Sequence, residues 1–197
     1  PCVENTNTNI MGIDIGLKVP AVAYSSNWKV KFFGNGREHK YIRRKFKSKK
    51  RKLGKQKKLN AIKKLSDKEQ RIMNDKDHKI SRQIVNEAIK NNVSVIRLEK
   101  LTNIRNSART SRKNEKNLHT WSFYRLAMYI QYKARLEGIK VEYVNPMYTS
   151  QICPNCGIQN KAKDRKYACI CGYEKHRDLV GAINIARTVI DGNSLSA

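Results

Sequence analysis

The sequence predicts an α/β domain with a mixed sheet and a small cysteine-bearing segment inserted before its last helix. Three observations predict this class: a strand-rich start, later helices that alternate with strands, and four cysteines in two close pairs. Apolar residues make up 39% of the 197 residues, which is enough for one hydrophobic core and argues against a disordered chain.

Three short strands open the predicted sheet. They are expected over Ile10 to Ile15, Ala21 to Tyr24 and Trp28 to Phe33, and turn-forming residues separate them. Short connections of this kind join antiparallel neighbours, so we expect a meander.

A long helical region follows, from about Glu38 to Asn91, with a break expected near Asn74. Its second part carries apolar residues at helical spacing: Ile80, Ile84, Val85 and Ala88. Asn91 and Asn92 are expected to end the helix. The β-branched run from Val93 to Leu98 then has the length of a buried strand.

A connecting loop runs to His119, and a further helix and strand follow it. Thr120 is the expected N-cap of that helix, Gly138 its end, and Val141 to Val144 the strand. The last helix is predicted from about Asp178 to Asp191, so helices alternate with strands in the second half of the chain.

The chain carries 42 lysine and arginine residues against 16 acidic ones, a formal net charge of +26. This excess predicts a polyanionic partner and excludes most ordinary metabolic enzymes. From Arg43 to Lys58 there are 11 basic residues in 16 and no acid. A membrane-binding helix would need a bulky apolar face, but the only large apolar side chains here are Phe46 and Leu53. Nucleic acid is therefore the expected partner, and a solvated charge run is the alternative.

The residues predicted to contact nucleic acid lie in this run and in a second basic stretch of the later loop. They are Arg43, Arg44, Lys45, Lys47, Lys49, Lys50, Arg51, Lys52, Arg105, Arg109 and Arg112. No apolar run is long enough to span a bilayer, and the start of the sequence lacks a secretory-signal pattern, so an intracellular protein without a membrane partner is expected.

Four cysteines form the strongest local pattern: Cys153 and Cys156 in C-P-N-C-G, then Cys169 and Cys171 in C-I-C-G. Each close pair can place two thiolates on one metal ion, and a glycine follows each pair where the backbone must turn. Disulfides are the competing interpretation, and the missing secretory signal argues against them. Four thiolates complete a tetrahedron, so a structural zinc site is predicted.

Three of the scarce acids lie beside predicted apolar structure. Asp14 interrupts the first strand, Glu99 follows the strand that ends at Leu98, and Asp178 opens the last helix. Taken alone, Asp14 could open a turn, Glu99 could form a surface ion pair, and Asp178 could be an N-cap. Taken together, they form the arrangement by which an RNase H-like sheet gathers carboxylates around two divalent cations. Magnesium or manganese prefers oxygen ligands and can promote phosphodiester cleavage.

Four stretches of the sequence resemble the carboxyl-terminal half of the TnpB (OrfB) family, transposon-encoded RNA-guided nucleases related to type V CRISPR effectors. They are Gly12 to Gly16, Ile96 to Leu101, Thr149 to Gly157 and His176 to Ile185, in family order across nearly the whole chain. The resemblance implies that Asp14, Glu99 and Asp178 are the catalytic, metal-binding triad.

The resemblance also implies the domain organisation. A RuvC-like nuclease domain of RNase H type is expected over residues 1–147, with a basic helical insertion at about 38–75. A four-cysteine zinc ribbon is expected over 148–175, and a helix over 176–197 completes the nuclease domain. Two departures stand out: His176 and Val180 replace the Asp and Asn of many relatives, and the second cysteine pair is one residue tighter than C-x-x-C.

Members of the family also carry an N-terminal oligonucleotide-binding barrel and helical region, and these do not precede Pro1, so the chain is expected to be the nuclease half of a longer protein. The implied function is a metal-dependent DNA endonuclease that acts with a guide RNA on a target DNA, in the cytoplasm or nucleoid of a bacterium or archaeon. A non-cleaving, guide-dependent binding module or repressor and a strand-transfer transposase stay open. Trp121 and Tyr124 are candidates for base stacking or for the core.

Overall fold

The computed structural model of the chain describes residues 9–27, 29–100, 123–145, 147–162 and 164–188. None of the helices in these segments combines the length and the apolar composition that crossing a bilayer requires. The predicted N-cap Thr120, Trp121 and the basic residues Arg105, Arg109 and Arg112 lie outside the described residues.

The described core is a five-stranded sheet in the order β3-β2-β1-β4-β5. Its strands are β1 (Ile10–Asp14), β2 (Ala21–Ser25), β3 (Val30–Phe33), β4 (Val95–Glu99) and β5 (Lys140–Val144). The first three pair antiparallel, whereas β4 pairs parallel with both β1 and β5. The predicted meander and the predicted mixed sheet are therefore confirmed.

The described segments contain four helices: α1 (Gly36–Lys55), α2 (Leu59–Lys90), α3 (Phe123–Leu136) and α4 (Arg177–Arg187). Side chains alternate between the two faces of a strand, so each face needs its own cover. One face packs against α2 and α3, with Ile13, Ile84 and Leu126 fully buried between them. The other face packs against α4, where Val22 and Ala182 share a second buried cluster.

The helix break predicted near Asn74 is wrong, because α2 runs without interruption through that residue. The break lies instead between Lys55 and Leu59. There the amide of Lys58 donates to the Leu53 carbonyl oxygen at 3.0 Å, and the amide of Lys57 donates to that of Gly54 at 3.0 Å. This pattern is a Schellman motif, whose left-handed position usually holds glycine. Here Lys57 holds it with φ of 54°, so the turn lacks the glycine that usually marks a helix end in a sequence.

The end of α2 confirms its prediction, since Asn91 is the C-cap and Asn92 adopts φ of 50°. Strand β4 begins two residues later than expected and includes Glu99 as its last residue. Glu99 therefore lies within the ladder, opposite Val144 of β5.

A small cysteine-bearing hairpin precedes α4. Its strands β6 (Lys166–Ala168) and β7 (Glu174–His176) pair antiparallel, and α4 starts at the next residue. Tyr167 is fully buried in a cluster with Cys153, Cys169 and Val180, so the hairpin packs on the first turns of α4.

Helix α4 lies unusually close to β1. A Cβ at Gly12 would stand 2.2 Å from the Ala182 carbonyl oxygen, so only glycine fits there. At the other end of the helix, Arg97 Nη1 donates to the carbonyl oxygens of Ala186 at 2.8 Å and Thr188 at 2.7 Å. These contacts fix where α4 lies on the sheet and hence where its first turn carries Asp178.

Candidate functional site

The three predicted acids lie on three elements that meet at one edge of the sheet. Asp14 ends β1 and Glu99 ends β4, and these parallel strands pair Ile13 with Leu98, so their last residues are neighbours. Asp178 lies in the first turn of α4. A Cβ at Gly181, one turn further along, would lie 3.2 Å from Asp14 Oδ2, which shows how closely the helix approaches that carboxylate.

Asp14 experiences the charges of the other two acids. Burial raises the pKa of Asp14 well above its ordinary value, and the negative charges of Glu99 and Asp178 raise it further. Arg177 and Arg165 lower the pKa in part. Because like charges next to a buried carboxylate favour its neutral form, a divalent cation bound here would relieve the repulsion. Carboxylate oxygens are also the donors that a hard metal ion prefers.

Glu99 is held by the turn that follows β5. Burial raises the pKa of Glu99, and a hydrogen bond from the Thr149 hydroxyl to Glu99 Oε1 acts in the opposite direction. The turn is tied to α4, because Asn184 Nδ2 donates to the carbonyl oxygens of Thr149 and Ile152, each at 2.7 Å. Thr149 lies in one of the stretches that carry the family resemblance, but nothing in the sequence predicts its contact with Glu99.

Asp178 is buried and paired with an arginine from the hairpin segment. Arg165 Nη1 lies 2.7 Å from Asp178 Oδ2 and 2.5 Å from Oδ1. The interpretation of Asp178 as an N-cap is wrong, because His176 holds the N-cap position and its Nδ1 accepts from the Asp178 amide at 3.3 Å. A buried carboxylate requires a partner, but the sequence offers 42 basic residues and could not select Arg165.

The three carboxylates do not form a tight ligand cluster. Within the described parts of the chain, the four cysteines are the one group of three or more candidate ligands whose atoms all lie within 4.8 Å of one another. The carboxylates act on one another electrostatically at longer range, and Asp178 is engaged by Arg165.

The four cysteines predicted to bind metal come together. The sulfurs of Cys153 and Cys171 are 3.7 Å apart, and those of Cys156 and Cys169 are 3.5 Å apart. Both distances are far longer than a disulfide bond, and they suit four sulfurs at about 2.3 Å from a single zinc ion. The cluster could therefore hold one metal ion.

The backbone and two amide side chains support this cluster. Gly157 and Gly172 follow the cysteine pairs with φ of 74° and 83°, a region that other residues rarely adopt. Asn160 Nδ2 lies 3.1 Å from the Cys169 sulfur. Hydrogen bonds from the Asn155 side chain and then from the Tyr173 backbone lower the pKa of Cys171 to about 6.

The basic residues of α1 point in two directions. Six of those predicted to contact nucleic acid are exposed: Arg44, Lys45, Lys47, Lys49, Arg51 and Lys52. Lys50 faces α2, where its Nζ lies 2.7 Å from Glu69 Oε2. Arg43 is half-buried beside Glu69 and Asp77, and burial lowers the pKa of its guanidinium.

Comparison with known families matches both parts of the chain. Residues 3–105, just over half of the chain, match the OrfB IS605 family, described as a probable transposase. Residues 123–185 match the family described as the Cas12f1-like TNB domain.

Curated relatives cover most of this chain. A TnpB-like protein of Methanocaldococcus jannaschii is 38% identical over 136 residues, which are 68% of this chain and 49% of that protein. The CRISPR-associated endodeoxyribonuclease Cas12f1 of Sulfoacidibacillus thermotolerans is 33% identical over 200 residues, which are 92% of this chain and 46% of that protein. The chain thus spans about half the length of the curated relatives it matches.

Solved structures show the same fold. A Cas12f1 chain in a cryo-EM complex with single-guide RNA and target DNA gives a TM-score of 0.77 at 24% identity, covering 91% of this chain and 50% of that one. A CRISPR-Cas12f ternary complex gives a TM-score of 0.78 at 22% identity, covering 93% of this chain and 39% of that one.

The mixed sheet and the four-cysteine hairpin, together with these matches, place the chain in a class of α/β proteins found in transposons and CRISPR systems. Within that class the chain belongs to the TnpB (OrfB) family, and it is also related to Cas12f proteins. The family predicted from the sequence is confirmed.

Proposed function

We propose that the chain is the RuvC-like, RNase H-type nuclease domain of an RNA-guided DNA endonuclease. The observation that carries the proposal is the convergence of Asp14, Glu99 and Asp178 from β1, β4 and α4 at one edge of the sheet. The relatives named as endodeoxyribonucleases and the solved complexes with RNA and DNA support the same partners for this chain.

The proposed site residues divide into ligands and supports. Asp14, Glu99 and Asp178 would hold magnesium or manganese, which would supply an activated water and stabilise the leaving oxygen of a phosphodiester. Thr149 orients Glu99 through its hydroxyl, and Arg165 balances the charge of Asp178. Gly181 keeps α4 close enough to bring Asp178 beside Asp14.

The hairpin with the four cysteines is proposed as a structural zinc ribbon. Its four sulfurs would fill the four positions of a tetrahedral zinc ion, which would leave no position for a reacting water. Arg165 links it to the acidic site by its ion pair with Asp178. The exposed face of α1 would contact the phosphates of a guide RNA or of its heteroduplex with DNA, where backbone geometry rather than base sequence is recognised.

The test uses the protein as its gene encodes it, purified with the RNA that accompanies it. Magnesium and a DNA that matches this RNA are supplied, and cleavage is compared between wild type, Asp14→Ala and Asp75→Ala. Asp75 is an exposed acid that pairs with Lys79 on α2, so its loss is the matched control. We expect cleavage by wild type and Asp75→Ala and none by Asp14→Ala.

Other outcomes would assign another function. Equal cleavage by Asp14→Ala would remove the triad, and guide-dependent binding without cleavage by any variant would identify the binding module. Products in which one DNA strand is joined to another would identify the strand-transfer transposase.

A further inference from the structure

Three exposed tyrosines lie on the edge strand β5 and on the two segments that adjoin it, α3 before the strand and the turn after it. Tyr124 is 75% exposed, Tyr143 is 37% exposed and Tyr148 is 47% exposed. We call these three residues the tyrosine strip. Large aromatic side chains normally bury their rings, so three exposed ones around one strand end mark this surface as a candidate binding surface.

Two members of the strip lie close together. Helix α3 turns back into β5 at Gly138, so the first turn of the helix lies beside the end of the strand. The Tyr143 hydroxyl donates to Gln131 Oε1 at 3.1 Å. Burial and then the neighbouring Tyr124 phenol raise the pKa of Tyr143, which places the two phenols near each other.

The third member adjoins the acidic site. Tyr148 adopts φ of 60°, a left-handed conformation that is rare and strained for a bulky residue. Its carbonyl oxygen accepts from the amides of Gln151 at 2.8 Å and Ile152 at 3.1 Å, which hold this turn. The next residue is Thr149, whose hydroxyl donates to Glu99. The tyrosine strip therefore runs from α3 past the carboxyl end of β5 to Tyr148. Tyr148 precedes Thr149 in the sequence, and Thr149 contacts Glu99, a proposed metal ligand.

The charge around the strip favours a polyanion. Arg135 lies near enough to Tyr143 to lower its pKa, and Lys100 is exposed where its amide donates to the Val144 carbonyl oxygen at 2.8 Å. Glu142, the acid next to Tyr143 in the sequence, pairs with Arg97 and Lys140. Tyrosine rings set among cations are typical of surfaces that bind single-stranded nucleic acid.

We propose that the tyrosine strip stacks the bases of a single-stranded DNA segment as it passes the end of β5 toward the acidic site. This inference rests on the proposed nuclease function and adds to it the surface that holds an unpaired strand beside Glu99. Every base has a π-face, so stacking on tyrosine holds the strand without selecting its sequence.

The test measures DNA binding rather than cleavage. A fluorescein-labelled oligothymidylate of about 20 nucleotides is titrated with the protein in a buffer without added magnesium or manganese, and fluorescence anisotropy is followed. Tyr124→Ala and Tyr148→Ala should each weaken binding about fivefold or more, whereas Tyr124→Phe and Tyr148→Phe should bind like wild type, because they keep the ring. Thermal melting verifies that each variant is folded.

Two controls isolate the stacking. Leu136→Ala removes an equally exposed apolar side chain, 74% exposed, at the far end of α3 and should leave binding unchanged. An abasic strand of the same length should bind wild type and both alanine variants equally, because it has phosphates and no bases. The proposal would be overturned if the alanine variants lost the same affinity for the abasic strand as for oligothymidylate. It would also be overturned if they lost no affinity for oligothymidylate. Variants that bind normally but alter self-association would overturn it too, since the strip would then contact a second copy.

The failure of the nuclease proposal gives a different result. If the wild-type protein never cleaves DNA but the tyrosine variants bind oligothymidylate more weakly, the tyrosine strip is supported and the nuclease assignment is wrong.

Discussion

His39 on α1 is a buried residue whose ionisation should make the stability of the protein depend on pH. It is 2% exposed, and burial followed by the charge of Lys76 lowers its pKa to about 4. It lies on α1 near a polar layer in which Arg125 Nε donates to the buried Asp77 Oδ2 at 2.8 Å, which joins α2 to α3. Neutral histidine is the form that this interior stabilises.

His39 should make the protein less stable in acid. Between about pH 6.5 and pH 4 the unfolded chain binds a proton at this residue and the folded protein does not. Its contribution to stability is therefore complete above the unfolded pKa and is lost as the pH falls toward the folded one. We expect a loss of up to about 3 kcal/mol over this window, which His39→Gln would not show.

Urea denaturation of wild type and His39→Gln, at about pH 7 and about pH 4.5, measures the difference. The free energy of unfolding should fall more in wild type than in the variant. The same fall in both proteins would contradict the assignment, because other groups would then account for all of the acid sensitivity.

At the residue scale, the sequence predicts three acids as site residues but does not predict the side chains that contact them. Asp14, Glu99 and Asp178 could be picked out because acids are scarce and these three interrupt apolar segments. Thr149 and Arg165 could not, because their role depends on which turn and which hairpin lie above the sheet edge. The positions of Thr149 and Arg165 in the sequence do not show which side chains they contact in the folded protein.

At the element scale, the cysteine hairpin is the part whose stability should depend most on metal. Its two strands have three residues each, and its core is limited to a few side chains that include Tyr167 and Val180. So small an element cannot bury enough apolar surface to fold alone, and metal binding would supply much of its folding free energy.

Cys171→Ser should therefore reduce bound zinc from about one ion per chain to a small fraction and lower the thermal melting temperature. The matched control is Cys2→Ser, which alters the one cysteine of the sequence outside the cluster. Zinc content by atomic emission and melting by circular dichroism measure both effects. Full zinc content in Cys171→Ser would contradict the four-cysteine site.

The helices show where prediction of elements failed. Apolar spacing located the second half of α2 and its end at Asn91, since both depend on local sequence. The break before Leu59 could not be predicted, because a lysine, Lys57, adopts the left-handed conformation there. A glycine at that position would have indicated the helix end. Asn74, where a break was predicted, is accommodated within a helix of 32 residues that packs along α1 and α3.

At the scale of the whole molecule, the two ends of the described chain form the acidic site together. Asp14 lies on the first strand and Asp178 on the last helix, and α4 packs on β1 through Gly12. The three acids come together only when β1, β4 and α4 have assembled, so their grouping depends on the whole fold and not on one segment of the sequence. Most of the basic residues of α1 remain on the outside.

This distribution predicts a steep dependence of nucleic-acid binding on salt. Each lysine that contacts a phosphate releases about one counterion, so the slope of log K against log salt reports the number of contacts. Lys45, Lys49 and Lys52 lie along one exposed face of α1. Changing all three to glutamine should reduce the slope by about two to three.

The matched variant is Lys79→Gln, which removes an exposed lysine that pairs with Asp75 on α2 and should leave the slope unchanged. Lys50→Gln gives a further contrast, because Lys50 faces Glu69; it should lower stability more than it changes the slope. Filter binding to single-stranded and heteroduplex probes over a series of potassium chloride concentrations measures these slopes. If the triple variant kept the wild-type slope, the phosphate contacts would lie elsewhere, and the positive charge of α1 would be a solvated surface.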